Sequence, residues 1–178
     1  MPYYRTPGFC ALLFIALVFI GRTERAREFA TLLVVGAFIS IVVGSLMPAE
    51  AAMMRYDDGK LLQIFGASAG VYHMETLQAL RGTGNIVLTF GNLPGLITFP
   101  SYHTITGLLF AYACRDSLYT LVPASLWTAV MLITTPVYGG HYFIDILAGG
   151  AVTLALIAWG AKAETYRIVW RRPAVPAQ

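Results

Sequence analysis

The chain has 178 residues, of which 57% are hydrophobic and only 12% are charged, whereas an ordinary soluble domain has about 25% charged residues. This composition excludes a typical water-soluble domain and indicates a single integral membrane domain, 1–178. The formal net charge of +3 does not indicate nucleic-acid binding, because most basic residues flank apolar blocks, where membrane topology accounts for them.

The apolar residues fall in blocks close to the length that a bilayer requires, about 20 residues for a core about 30 Å thick. The first block, 8–20, is short and follows Arg5, so it is a thin helix, a signal peptide, or a sign that an upstream helix is missing. The following loop lacks a convincing cleavage site, which favours a helix. The sequence therefore predicts an all-α bundle of about five transmembrane helices, the other four being 29–47, 103–113 with its neighbours, 118–137 and 142–161.

Arginine-rich short loops indicate the cytoplasmic side of a membrane protein. The loop 21–27 contains three arginines, and further basic residues follow the last apolar block. Alternation of the spans then places Arg115 and Asp116 inside, with the segment 48–102 and the turn 138–140 outside. We therefore expect an inner, plasma membrane protein of a bacterium, with a site that faces outward.

The outer loop region, 48–102, is too long to be a simple connection between spans. Its apolar residues recur at helical spacing, with interruptions at Gly66 and Gly70, which predicts one or two amphipathic helices on the membrane surface. The stretch 82–100 is rich in turn-forming residues. His73 matches no motif, and we interpret it as a surface histidine.

Asp145 is the only carboxylate in the four longer blocks, and an ionisable residue within a span indicates function by default. His141 precedes it by four residues, a spacing that places both side chains on one helix face. The carboxylate would then hold one imidazole nitrogen and leave the other as a nucleophile. A purely structural pair of histidine and aspartate fits the same pattern.

A second histidine, His103, follows a proline turn at the start of the third span. The alternating topology places His103 and His141 at the same membrane face, so the two can converge although they are distant in sequence. A histidine beside a proline turn also fits an interface anchor.

Two motifs resemble those of the type 2 phosphatidic acid phosphatase superfamily of membrane lipid phosphatases and phosphotransferases. Residues 100–103 read Pro-Ser-Tyr-His, similar to its Pro-Ser-x-His motif, and residues 140–145 read Gly-His-Tyr-Phe-Ile-Asp, similar to its terminal His-x-x-x-Asp motif. The longer string 139–149 looks closest to the branch that includes inositol phosphorylceramide synthase. The resemblance extends from about Ala79 onward.

The resemblance implies metal-independent phosphoryl transfer through a phosphohistidine. His141 would attack phosphorus, His103 would protonate the leaving alcohol, Asp145 would orient His141, and Ser101 would bind a phosphate oxygen. It implies no cofactor, and its partners would be a lipid phosphate and the bilayer. Water and a lipid hydroxyl remain open as acceptors, as do the lipid and the oligomeric state.

The chain departs from the family at its phosphate-binding cations. Where the family has Ser-Arg before the nucleophile, the chain has Thr134 and Thr135, and Lys60 is followed seven residues later by Ala67 rather than by Arg-Pro. A developing phosphoryl charge still needs cationic donors.

Three basic residues of the outer loop are candidate replacements, Arg55, Lys60 and Arg81. We favour Arg81 because it precedes Ser101 by twenty residues, ends the second amphipathic stretch and can present a bidentate fork to phosphate, although a headgroup-facing arginine fits as well. The backbone amide of Gly140, near a helix start, is a further candidate donor to the phosphate.

Two other functions fit part of the pattern. His103, His141 and Asp145 are enough for an open metal site. A non-enzymatic transporter or assembly subunit would use Asp145 as a buried proton site. The presence of both motifs at one membrane face favours the phosphotransfer enzyme.

Overall fold

The computed structural model describes residues 2–47, 52, 99–138 and 140–162. These residues form five helices and confirm the predicted all-α bundle. The predicted amphipathic helices of the outer loop, together with His73, lie outside the described residues. The helices are α1 (Pro2–Phe19), α2 (Thr23–Leu46), α3 (Tyr102–Ala113), α4 (Leu118–Tyr138) and α5 (Phe143–Lys162).

Three of the helices, α2, α4 and α5, are long and apolar enough to cross a membrane. Their outward faces carry large hydrophobic side chains, including Phe38, Ile133 and Leu154, which are 66%, 76% and 70% exposed. Apolar surface of this extent is unfavourable in water but suits the hydrocarbon of a bilayer. The bundle therefore has the surface of a membrane protein.

The third helix, α3, is much shorter than the span that its apolar block predicts. It has 12 residues and is about 18 Å long, well short of a bilayer core of about 30 Å. The expected extension through its neighbours is wrong, because Ser101 caps one end and a turn at 114–116 follows the other. With Ile105 and Leu109 fully buried, α3 is a central helix that begins inside the bundle.

Ion pairs join the start of α2 to the turn between α3 and α4. Arg25 pairs with Asp116 at 2.7 Å and with Glu28 at 3.4 Å, and Arg22 pairs with Asp116 as well. Glu28 also accepts hydrogen bonds from Arg115 at 2.8 and 2.9 Å. The hydrogen bond from Arg25 lowers the pKa of the Asp116 carboxyl, so this carboxylate stays ionised at neutral pH. We call this the charged end of the bundle.

At the opposite end, α5 packs closely against the start of α3 at Gly149. A Cβ atom on Gly149 would lie 2.6 Å from the carbonyl oxygen of Ser101 and 2.9 Å from Cβ of Thr104. Because one of these neighbours is backbone, a rotamer change cannot relieve the overlap. Only glycine at this position allows α3 and α5 to approach so closely. Gly150, the next residue, has no atom near enough to obstruct a Cβ.

We expect Gly149→Ala to destabilise the bundle by about 1–3 kcal/mol, because the added methyl group forces α3 away from α5. The matched control is Gly150→Ala, which should be neutral or slightly stabilising, since alanine is the better helix former by about 1 kcal/mol. Thermal unfolding of both variants in detergent measures the difference. Equal midpoints for the two variants would contradict the close approach.

Candidate active site

His141 lies in the connection between α4 and α5, two residues before the first residue of α5. The prediction that His141 and Asp145 share one helix face is therefore wrong, because His141 precedes the helix. The two side chains nevertheless meet, because the chain turns into the helix between them. His141 Nδ1 lies 3.4 Å from Asp145 Oδ2.

Asp145 owes its position to the start of α5. Its Oδ2 accepts a hydrogen bond of 2.9 Å from the backbone N–H of Tyr142, the residue before the helix. A side chain in the first turn that reaches back to this N–H satisfies a donor that the helix leaves unpaired. The carboxylate also faces the positive end of the helix dipole. Although Asp145 is only 1% exposed, this bond offsets part of the cost of burying its charge.

Gly140 directs the chain into His141 through a backbone conformation that favours glycine. Its φ angle is +65°, in the left-handed region that costs other residues about 1–2 kcal/mol. Its carbonyl accepts a hydrogen bond of 2.7 Å from the N–H of Ala52, which holds the turn in place. The structure thus gives Gly140 a conformational role beside the predicted phosphate-binding role.

Ser101 links the start of α3 to both Asp145 and His141. Its Oγ accepts a hydrogen bond from the N–H of Thr104, which caps α3. Its backbone N–H donates a hydrogen bond of 3.0 Å to the carbonyl of Asp145. The same Oγ lies 3.4 Å from Nε2 of His141. The hydroxyl of Ser101 therefore lies beside the imidazole nitrogen opposite the one that faces Asp145.

The imidazole of His141 is enclosed between a carboxylate and a hydroxyl, with 3% of the residue exposed. Among the described residues Nδ1 makes no aligned hydrogen bond, although Asp145 is its near neighbour. Hydrogen bonds of catalytic groups are often long without substrate and tighten in the reacting complex. This order of carboxylate, imidazole and hydroxyl fixes which nitrogen can attack, because the carboxylate favours a proton on Nδ1.

His103 lies in the first turn of α3, two residues after Ser101. It is partly buried. The structure therefore brings together His141, Asp145 and Ser101, and it places His103 two residues after Ser101 in the first turn of α3. These four residues come from the start of α3, from α5 and from the turn before α5.

The predicted cationic residues of the site, Arg81, Arg55 and Lys60, lie outside the described residues. The hydroxyls of Thr134 and Thr135 both donate to the carbonyl of Met131 in their own helix. They therefore bond to α4 itself and not to a neighbouring site. In the described part of the chain, the positive ends of α3 and α5 both lie at the site, where helix N-termini favour an anion.

The packing at Gly149 is the part of the site that the sequence did not predict. Gly149 brings α5 against Ser101, and its neighbour Thr104 has a buried hydroxyl without a hydrogen-bond partner in the described chain. A signal was present in the four-residue spacing from Asp145 through Gly149 to Thr153, which are buried on one face of α5. That spacing predicts a contact face.

Within the described ranges, no three histidine, cysteine or acidic side chains are grouped as metal ligands. The predicted alternative of a metal site formed by His103, His141 and Asp145 therefore gains no support from the described geometry.

The model of the PAP2 superfamily matches residues 2–159 of this chain, well over half of its length. No curated protein and no solved structure matches it. The predicted resemblance to this superfamily is thereby confirmed, while the likeness to the inositol phosphorylceramide synthase branch stays a prediction. With its helices and paired motifs, the chain belongs to the PAP2 superfamily of phosphatases.

Proposed function

We propose that this protein transfers or hydrolyses the phosphate of a lipid ester through a phosphohistidine on His141. The observation that carries the proposal is the position of His141, with Asp145 near Nδ1 and Ser101 near Nε2, each at 3.4 Å. Membership of the superfamily supports action on lipid phosphoesters. The choice of lipid and the closeness to inositol phosphorylceramide synthase remain part of the proposal.

In the first step, Nε2 of His141 attacks phosphorus, forming a nitrogen–phosphorus bond while the bond to the lipid alcohol breaks. The positive charge that develops on the imidazole is stabilised by the carboxylate of Asp145. His103, protonated, gives its proton to the leaving oxygen, which would otherwise depart as a poor alkoxide leaving group. Ser101 then donates its hydroxyl hydrogen to a phosphate oxygen instead of to Nε2.

In the second step, water or the hydroxyl of another lipid attacks the phosphohistidine. His103, now neutral, takes the proton of this acceptor, and the nitrogen–phosphorus bond breaks to return His141 to its starting state. His141 and His103 act in both steps. The proton that His103 gives in the first step is the one it regains in the second, so the proposed mechanism requires no metal or cofactor.

A phosphoryl group in a low-dielectric site needs positive charge nearby. The N-termini of α3 and α5 supply part of it, and we propose Arg81 for the remainder. The arginines of the charged end support an outward-facing site, because positive loops favour the cytoplasmic side. A cysteine at Tyr138 that an impermeant thiol reagent fails to reach in intact cells would contradict this orientation.

We expect His141→Asn to abolish phosphoenzyme formation and to lower turnover by about a thousandfold or more, because no neighbour replaces the nucleophile. Asparagine keeps a polar group beside Asp145, which protects the fold. The control is His73→Ala, which changes a histidine that no motif contains and should leave turnover unchanged.

Rapid quench with a labelled lipid phosphate measures the phosphoenzyme. Retained phosphoenzyme in His141→Asn would contradict the assignment. If the unaltered protein neither releases phosphate from any lipid phosphate nor transfers it to a lipid hydroxyl, the transporter alternative is favoured. Loss of activity with a chelator would favour the metal alternative.

We expect His103→Ala to slow a lipid phosphate by roughly 10²–10⁴-fold, because the alcohol then leaves without a proton. An activated aryl phosphate, whose leaving group needs no proton, should lose far less. Comparing kcat for the two substrates tests the role of general acid, and equal losses would rule it out.

We expect Arg81→Lys to lower activity and Arg81→Ala to lower it further, because lysine keeps the charge but loses the bidentate fork. Inhibition by vanadate should weaken in the same order, since vanadate would use the same contact. Steady-state kinetics with and without vanadate provide the measurement. Unchanged vanadate sensitivity in Arg81→Ala would place the cation elsewhere, with Arg55 and Lys60 the next candidates.

A further inference from the structure

A groove of about 400 Å³ lies between α1, α2 and α3 and opens to the outside of the bundle. Its lining is mostly apolar, with His103, Tyr102 and Thr106 as the members that carry polar groups. Along α1 it runs from Pro7 towards the middle of the helix at Phe14. We call it the α1–α2 groove, and its other lining residues include Cys10, Leu33 and Val34.

The α1–α2 groove reaches a residue of the candidate active site. His103 lines the groove and lies two residues after Ser101 on α3. The register of α1 against α3 is given by Cys10, whose thiol contacts the carbonyl of Thr106 at 3.9 Å, one turn beyond His103. The imidazole therefore stands at the end of the groove where α3 begins, and the remainder extends along the apolar part of the helices.

The same end of the groove has a basic residue without a carboxylate. Arg5 precedes Pro7 by two residues on α1 and is exposed. Each of the other described arginines pairs with a described carboxylate at the charged end, whereas Arg5 has no such partner among the described residues. The groove is thus mostly apolar, with an arginine two residues beyond its lining on α1, an arrangement that complements a lipid phosphate.

We propose that the α1–α2 groove holds an acyl chain of the lipid whose phosphate reacts at His103 and His141. This proposal rests on the proposed function and adds a subsite for the lipid chain. Taking about 30 Å³ for a group the size of a water molecule, the 400 Å³ groove accepts a segment of roughly a dozen methylene groups.

A second apolar cavity helps to identify which groove serves the site. It has a volume of about 330 Å³ and lies between α1, α3 and α4, near Cys114 and Tyr119 at the charged end. None of the candidate site residues lines it. An acyl chain in that cavity would leave the lipid headgroup far from His103. Of the two cavities, only the α1–α2 groove therefore allows the chain to be bound while the phosphate is at the site.

The groove should affect the position of the bound lipid more than its binding affinity. An acyl chain that leaves the bilayer for the groove exchanges one apolar environment for another, so little free energy is gained. A chain held in the groove, however, fixes the phosphate relative to His141, and small misplacements of reacting groups are costly in rate. Filling the groove should therefore lower turnover of long-chain lipids and spare small substrates.

The kinetic test uses Ala11→Trp, which places a large side chain in the groove from an exposed position of α1. The matched control is Ala151→Trp, at an exposed position of α5 outside the groove. We expect kcat/KM for long-chain phosphatidic acid in mixed micelles to fall about tenfold or more in Ala11→Trp alone. Turnover of a water-soluble aryl phosphate should be unchanged in both variants. An equal ratio of the two activities in Ala11→Trp and in the unaltered protein would overturn the proposal.

The binding test does not depend on catalysis. Phosphatidic acid with a diazirine in one acyl chain is photolysed with the full-length protein, and the labelled peptides are identified by mass spectrometry. We expect labelling of the groove residues in α1 and α2, reduced by unlabelled phosphatidic acid and by Ala11→Trp.

Labelling that is spread over the outward faces, at Phe38 and Leu154, and is unaffected by competitor would overturn the proposal that the groove holds an acyl chain. Failure of the unaltered protein to cleave either phosphate ester, whether by release of phosphate or by its transfer to a lipid hydroxyl, would instead refute the proposed function, and the photolabelling would still decide whether the groove holds an acyl chain.

Discussion

The contact between Gly149 of α5 and the carbonyl of Ser101 at the start of α3 is the constraint on which the site depends. A Cβ at Gly149 would be 2.6 Å from that oxygen, a separation that van der Waals repulsion forbids. The N–H of Ser101 bonds to the carbonyl of Asp145 across the same contact. Helix packing and hydrogen bonding therefore fix one short distance together, and the hydroxyl of Ser101 meets His141 as a result.

The charged residues lie at the two ends of the bundle and have a different role at each end. At the charged end, arginines at the start of α2 and in the turn after α3 pair with Glu28 and Asp116, which ties helices together. At the other end of the described bundle, Asp145 is buried beside an imidazole and a helix start. Removal of a buried charge's partners is costly, so the polar groups of the site hold one another in place.

The short length of α3 places the candidate active site inside the bundle. Because α3 begins inside the bundle, Ser101 and Thr104 are almost fully buried, although each lies at the first turn of a helix. A phosphate that binds there must leave water for a partly apolar environment. Under the proposed function, the opening of the α1–α2 groove towards the bilayer favours an approach from the lipid phase. The positive ends of two helices then offset part of the charge that enters with the phosphate.

The sequence by itself determined the all-α architecture and the family, and it predicted the residues of the candidate site. The length and hydropathy of an apolar block are local properties, and a bilayer selects for them directly. The spacing of the two motifs indicated the family, which the match over residues 2–159 supports. Ser101, His141 and Asp145 meet in the structure and His103 lies beside Ser101 on α3, whereas the roles of all six predicted site residues, Arg81 and Gly140 included, stay predictions.

Only the tertiary structure decided how these residues meet. The length of α3 depends on the cap at Ser101 and on burial by neighbouring helices, neither of which the apolar composition of residues 103–113 reveals. The position of His141 before α5 depends on the left-handed conformation of Gly140. The Gly149 contact and the α1–α2 groove require the relative placement of helices distant in sequence. Hydropathy reports which residues leave water, but steric fit between helices decides which of them touch.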